Sequence, residues 1–177
     1  PNPNPKPHPN PNPNPTANQG DGALLTLGPE QTSYLADSGV AFTDDKPKFA
    51  IDAAFPATLR AVYTSDGFVD SITPDSGVVG LVLDQTTFFA QAGGQVPDVG
   101  RLLSVDDGAD GASFEVTSVQ SFGGYVLHMG VLKSGALETG AKLECAVDYE
   151  RRLMISKSHT LTHVMNLALH QVLGDGV

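Results

Sequence analysis

The sequence predicts a mainly β protein with a helical end, and three observations carry that reading. From about Ala57 to Tyr149, short alternating or apolar stretches recur between glycine-containing breaks, the pattern of a small antiparallel barrel or sandwich. From Ser158 onward, apolar residues return at intervals of four, three and four (Leu161, Met165, Ala168, Val172), which is helical spacing. Ahead of Pro29 the chain is of low complexity and fits neither period.

Residues 1–28 form the first segment. Proline alternates with asparagine or another polar residue from Pro1 to Pro15, which forbids helix and ladder alike and predicts extended, polyproline-like disorder. His8 within it has no neighbouring ligand. Residues 29–56 read as a connecting segment: Glu30 to Gly39 suits a short helix with Gly39 at its C-terminal cap. Thr43-Asp44-Asp45-Lys46-Pro47-Lys48-Phe49 reads as a turn leading into extended chain.

Residues 57–150 hold the β domain. Its strand candidates are Thr58 to Tyr63, Val78 to Asp84, Arg101 to Val105, Ser113 to Gln120, Tyr125 to Gly130 and Lys142 to Asp148. Turns are expected at Ser65-Asp66-Gly67, Asp106-Asp107-Gly108, Gly123-Gly124 and Gly135-Ala136. Residues 151–177 are the helical end, with Ser158 as the expected N-cap, a helix over His159–Leu173 and Gly174 as its stop. The apolar stripe of that helix needs a partner surface beyond the barrel.

Composition narrows the functional classes. The 177-residue chain carries a net charge of −10, a pI near 4.6 and a single cysteine. One cysteine forbids an intramolecular disulfide and suits a reducing, cytoplasmic compartment. No apolar run approaches bilayer-spanning length and no secretory signal is visible, so no membrane role is expected. Such acidity works against DNA or RNA binding by charge alone. The one basic cluster, Arg151, Arg152 and Lys157, reads as a solvated surface turn.

Chemistry concentrates in two places. His159 and His163 stand four apart in Ser158-His159-Thr160-Leu161-Thr162-His163. That spacing puts both imidazoles on one helical face about 6 Å apart along the axis, as for two nitrogen ligands of one zinc ion. Two ligands do not close a zinc site, and the sequence ends fourteen residues after His163, so the chain is expected to be incomplete. His170 shares the face but lies about 16 Å further on, too far to share an ion. Cys145, in Leu143-Glu144-Cys145-Ala146-Val147, reads as a small buried hydrophobe of a strand rather than a third ligand. The second place is Gly93-Gly94-Gln95, which permits a tight turn and presents an amide at its exit. No nucleophile motif, GxGxxG or GxxxxGK[ST] occurs, so no ATP site is encoded here.

Together the segments resemble the alanyl-tRNA synthetase family, in the region joining its tRNA-binding part to its editing domain. The carrying residues are Thr43 to Phe49, Leu83-Asp84-Gln85-Thr86-Thr87-Phe88-Phe89-Ala90-Gln91-Ala92-Gly93-Gly94-Gln95, and Asp98-Val99-Gly100. They continue with Gly123 to Gly130, Arg151-Arg152, Ser158 to His163, and Leu167-Ala168-Leu169 through Leu173-Gly174. The likeness runs from about residue 30 to 177 and is closest to the cytosolic eukaryotic type. The proline–asparagine leader has no counterpart in it.

The resemblance implies a six-stranded translation-type β-barrel, followed by the first helix of the α+β editing domain shared with threonyl-tRNA synthetase. It implies a parent ligase that charges tRNA(Ala) with alanine using ATP and hydrolyses tRNA(Ala) mischarged with serine or glycine. His159 and His163 match the first half of the family's editing zinc site, whose Cys-x-x-x-His half does not occur in this sequence. Gln95 matches a glutamine of the editing pocket, and His128 a barrel position taken as structural. On this reading the ATP-dependent core lies outside the sequence and the piece is inactive by itself. Two other readings remain: a free-standing tRNA-editing hydrolase, against which Thr43 to Lys48 tells, and a non-catalytic β-barrel interaction module.

Overall fold

A computed structural model describes residues 25–49, 55–105 and 111–174. Residues 1–24 of the leader, with His8, and the Asp106-Asp107-Gly108 break lie outside the described residues, but the end of the segment expected to be disordered is placed, with Leu25 and Leu27 buried in the apolar cluster of Leu35, Tyr125 and Leu127. The first element is helix α1 (Pro29–Asp37). Pro29 occupies its first turn, where the missing N–H costs nothing, and the Gln31 side chain accepts from the Gly28 N–H at 3.0 Å. At the other end Gly39 adopts φ +76°. Gly39 N–H donates to Ala36 O and Val40 N–H to Leu35 O, the Schellman closure that the sequence leads one to expect at this glycine. The Thr43–Phe49 turn contains a 3₁₀ turn over Lys46–Phe49.

Among the described residues nine strands follow: β1 (Phe55–Thr64), β2 (Gly67–Val69), β3 (Ser71–Ile72), β4 (Val78–Leu83), β5 (Gly100–Ser104), β6 (Ser113–Phe122), β7 (Tyr125–Ser134), β8 (Leu137–Glu138) and β9 (Lys142–Val147). Six of them close into an antiparallel barrel in the order β1-β4-β7-β6-β5-β9, with β9 returning to β1. The expected barrel is therefore present, and closure leaves no long edge for another chain to pair with. β2 extends β1 as a hairpin through the Ser65–Gly67 turn, while β3 and β8 form a separate two-stranded ladder. Closure depends on β1, which pairs with β9 over Phe55–Thr58 and with β4 over Leu59–Tyr63.

The barrel interior is filled by Leu59, Val62, Val79, Leu81, Leu83, Phe88, Leu102, Phe114, Val116 and Leu143 among others. A second cluster lies under α1, where Leu35 packs with Val82, Tyr125, Leu127 and Met129. β7 thus buries both faces, with Tyr125, Leu127 and Met129 toward α1 and Val126, His128 and Leu132 toward the interior. This explains why its sequence is nearly unbroken apolar instead of alternating. At Gly130 the crossing with β6 is so close that a Cβ would stand 1.8 Å from Glu115 O.

His128 is fully buried. Its Nδ1 lies 3.1 Å from Leu81 O and its Nε2 2.8 Å from Thr86 Oγ1. A carbonyl only accepts, so Nδ1 carries the proton, and the Thr86 hydroxyl donates to Nε2. Burial pushes the imidazole down to about 4, partly opposed by its backbone hydrogen bonds to Leu81 and Val126. The sequence expectation that this histidine is structural fits that environment.

Two predictions follow from these contacts. Between pH 6.5 and about 4 the unfolded chain binds a proton at His128 that the folded chain refuses, so folding free energy falls as the pH drops through that window. Denaturant titrations at pH 7 and pH 5 will show that loss, and His128→Gln will show less of it. Gly130→Ala is expected to destabilise the barrel by about 3 kcal/mol or more, because the obstructing atom is backbone; the midpoint of denaturation measures it.

Candidate functional site

The segment leaving β4 is tied down residue by residue. Asp84 Oδ1 accepts from Thr58 N–H at 2.7 Å and from Gln85 N–H at 2.9 Å. Thr86 holds His128 and accepts from Phe88 N–H at 3.1 Å, and Phe88 fills the barrel end. Phe89 and Asp98 then close a neck. Asp98 Oδ2 accepts from Phe89 N–H at 2.7 Å, while Asp98 N–H donates to Phe89 O at 3.0 Å. Within that neck Gln91 N–H donates to Val119 O of β6.

At the tip Ala92 O accepts from Gln95 N–H at 2.9 Å, with Gly93 at φ +58° and Gly94 at φ +81°. Two successive positive φ values mark a turn of the I′ kind, which only glycine-like residues adopt without strain. Gln95 stands at the exit of this turn, half-buried.

The second component is helix α2 (Tyr149–Leu173). It begins ten residues before the expected start at His159. Asp148, not Ser158, is the N-cap, its carboxylate accepting from Arg151 N–H at 2.9 Å. Ser158 is instead in the helix interior, where its hydroxyl donates to Met154 O. The first turns rest on the barrel through charge instead of an apolar stripe, so the periodicity that reveals the later turns is missing there.

Arg151 and Arg152 overturn the surface-turn expectation. Arg151 Nη1 donates to Pro97 O at 2.7 Å. Arg152 Nε donates to Asp98 Oδ2 at 2.9 Å, its Nη2 reaches both Asp98 Oδ2 and Thr87 O, and its Nη1 donates to Lys48 O at 3.3 Å. Its guanidinium also lies over the Tyr149 ring, 4.9 Å from the centroid. The side chains are 13% and 2% exposed for Arg152 and Asp98, so this is a largely buried pair with its hydrogen-bonding capacity well used.

Between the loop tip and the helix runs an open groove of about 540 Å³, lined by Gly93, Gly94, Gln95 and Val96 on one side. Ser158, His159, Thr162 and His163 line the other side, with Met154 and Ile155. The two imidazoles meet at 66° with Nε2 atoms 3.2 Å apart. Two ligands at ordinary zinc–nitrogen lengths around a tetrahedral ion would be about 3.3 Å apart, so the pair has the bite of a zinc half-site. No group of three or more His, Cys, Asp or Glu able to hold a metal occurs among the described residues.

Gln95 and the histidine pair, separated by some sixty residues of sequence, thus face one groove. His128 and Cys145 do not join them. Cys145 is buried among core residues of the barrel, and burial pushes its thiol up to about 11. His170, expected to be exposed, is half-buried and does not line the groove. Sequence reasoning missed the anchoring roles of Asp98 and Arg152. The available signal was spacing, since Arg152 lies seven and eleven residues before His159 and His163, hence on the same helical face.

A sequence model of the class II tRNA synthetases (A) matches residues 31–151. The chain belongs to this family. It is 38% identical over 155 residues to the cytoplasmic alanine–tRNA ligase of Dictyostelium discoideum, covering 86% of this chain and 16% of that protein. Against the mitochondrial alanine–tRNA ligase of Saccharomyces cerevisiae it is 37% identical over 154 residues, covering 87% of this chain and 15% of the relative. The alanine–tRNA ligase of Candida albicans is 41% identical over 136 residues, covering 76% and 13%. The alanyl-tRNA synthetase likeness read from the motifs is borne out, and the chain spans less than a fifth of the length of these relatives. No described helix is long and apolar enough to cross a membrane.

Burial of Cys145 makes a direct prediction. With 1% exposure and a raised thiol pKa, it is expected to resist thiol reagents at pH 7 until the barrel unfolds. Labelling with and without denaturant, followed by mass measurement, checks this.

Proposed function

We propose that this chain is the barrel and first editing-domain helix of an alanine–tRNA ligase, a parent protein that charges tRNA(Ala) using ATP and hydrolyses Ser- or Gly-tRNA(Ala). The observation that carries the reading is the single groove shared by Gln95, His159 and His163. The double-sieve logic supplies the reason for such a site: a pocket built for alanine cannot exclude glycine sterically, and it rejects serine only modestly, so a second hydrolytic site adds discrimination. The proposed compartment is the cytoplasm.

His159 and His163 are the residues that would hold zinc, through Nε2 atoms already 3.2 Å apart. When bound, the ion would position the aminoacyl end or polarise a water. Gln95 offers one carbonyl and one NH₂ group, which suit holding the ester or its amino acid by hydrogen bonds. The turn at Gly93-Gly94 leaves open space where side chains would otherwise stand, which admits a substrate close to the backbone. The net charge of −10 means that the grip on tRNA comes from other parts of the parent.

With only half a metal site, the 177-residue chain is expected to bind Co²⁺ weakly, to lose that binding on His159→Ala or His163→Ala, and to leave Ser-tRNA(Ala) intact. In the full ligase, His163→Ala and Gln95→Ala are each expected to lower hydrolysis of Ser-tRNA(Ala) by tenfold or more while alanine charging persists. Single-turnover deacylation beside aminoacylation reads both. Unchanged hydrolysis in both variants would sink the proposal.

A further inference from the structure

The loop's neck and the helix meet at one vertex. Asp98 closes the neck of the loop, and Arg152 belongs to the first turn of α2 that rests on the barrel. From that vertex Gln95 is three residues away along the loop, a reach of at most about 10 Å. His159 is seven residues away along the helix, also about 10 Å, and within about 20° of the direction of Arg152. Two short arms therefore leave one ion pair and end on opposite walls of the groove. Among the hydrogen bonds and ion pairs of the described residues, the loop residues Pro97 and Asp98 meet α2 through Arg151 and Arg152, and none joins Gln95 to either histidine.

We propose that Asp98 and Arg152 are positioning residues, whose ion pair sets the distance between the Gly93–Gln95 tip and the His159/His163 imidazoles. The same guanidinium gathers Thr87 O and Lys48 O, so it ties the root of the loop and the Lys46–Phe49 turn to the helix as well. Without it the barrel keeps its own ladders, whose closure uses none of these groups. What is released is the hold of α2 on the loop and on the Lys46–Phe49 turn, with the Arg151 donation to Pro97 O left as a looser tether. The functional meaning of this gap rests on the reading of the groove as an editing site, but the geometric claim does not.

The test uses Cu²⁺ as a paramagnetic probe on the histidine pair of the 177-residue chain, with backbone amide resonances as the readout. In the unaltered protein, Cu²⁺ is expected to broaden Gly93, Gly94 and Gln95 strongly, and His159→Ala is expected to abolish the effect. Arg152→Met is expected to restore at least half of the lost intensity at these three amides. Copper affinity and the chemical shifts of Leu81 and Leu127 should stay unchanged. Asp98→Asn, nearly isosteric, should act in the same direction more weakly and serves as the second variant if Arg152→Met unfolds. Arg152→Lys should fall between Arg152→Met and the unaltered chain. Loop broadening that is absent in the unaltered protein, or that persists undiminished in the folded variants, would overturn the proposal. Because no substrate is involved, a failure here is distinct from a failure of the hydrolytic reading.

Discussion

Closure of the barrel depends on one strand serving two barrel partners. β1 pairs with β9 through Thr58 and with β4 from Leu59 onward, and that handover turns a sheet into a closed barrel. The ladder shifts register between Leu59 and Ala61, where a bend in the strand is needed. Asp84 secures the handover from outside. It accepts the Thr58 N–H at 2.7 Å, and its other oxygen lies 3.5 Å from Arg60. The exposed Arg60 contact contributes little. The Thr58 bond matters more, because it satisfies a backbone donor at the point where the strand changes partners.

From the same aspartate the chain starts toward the groove, so barrel closure and site placement share an origin. Each later step is fixed by a different kind of interaction. Thr86 is held by His128 and Phe88 by apolar burial, while Asp98 is held by two backbone hydrogen bonds and a guanidinium. A carboxylate as buried as Asp98 is unfavourable unless its lone pairs are engaged. Here a backbone N–H and two guanidinium nitrogens engage one oxygen. The desolvation that makes the pair expensive to break also makes it insensitive to salt, unlike the exposed Lys133–Glu115 pair on the barrel surface.

How much of this was legible in the sequence follows from which forces leave a periodic trace. The six barrel strands were visible because apolar burial repeats every second residue, or continuously where both faces are covered, as in β7. β2, β3 and β8 are two or three residues long and hold no full period. The four-residue spacing placed the two histidines on one helical face, while the zinc reading of the pair rested on family likeness. Gly93-Gly94-Gln95 stood out as a tight turn with an amide at its exit, but the role given to Gln95 came only through family likeness, since such a turn carries no chemistry by itself. The first turns of α2 escaped notice because Tyr149 to Lys157 meets the barrel by hydrogen bonds and charge. A buried arginine at a polar junction looks, residue by residue, like one on a solvated surface. Only the fold distinguishes them.

Along α2 the anchoring is uneven, and this places the histidines at a boundary. Arg151 and Arg152 fix the first turns, and Ile155, His159 and the neighbouring groove residues remain beside the loop. Further on, Leu161, Val164, Met165, Leu167, Val172 and Leu173 are all more than half exposed. That length of helix is held chiefly by its own backbone ladder, which is marginal for a helix without tertiary support. His163 is therefore the last groove-lining residue before the unsupported turns. An ion bridging the pair would couple it to His159 and extend the anchored length by one turn, because ligation at i and i+4 demands helical backbone between them. If the pair does bind a metal, local order and metal affinity at this site would be two faces of one equilibrium.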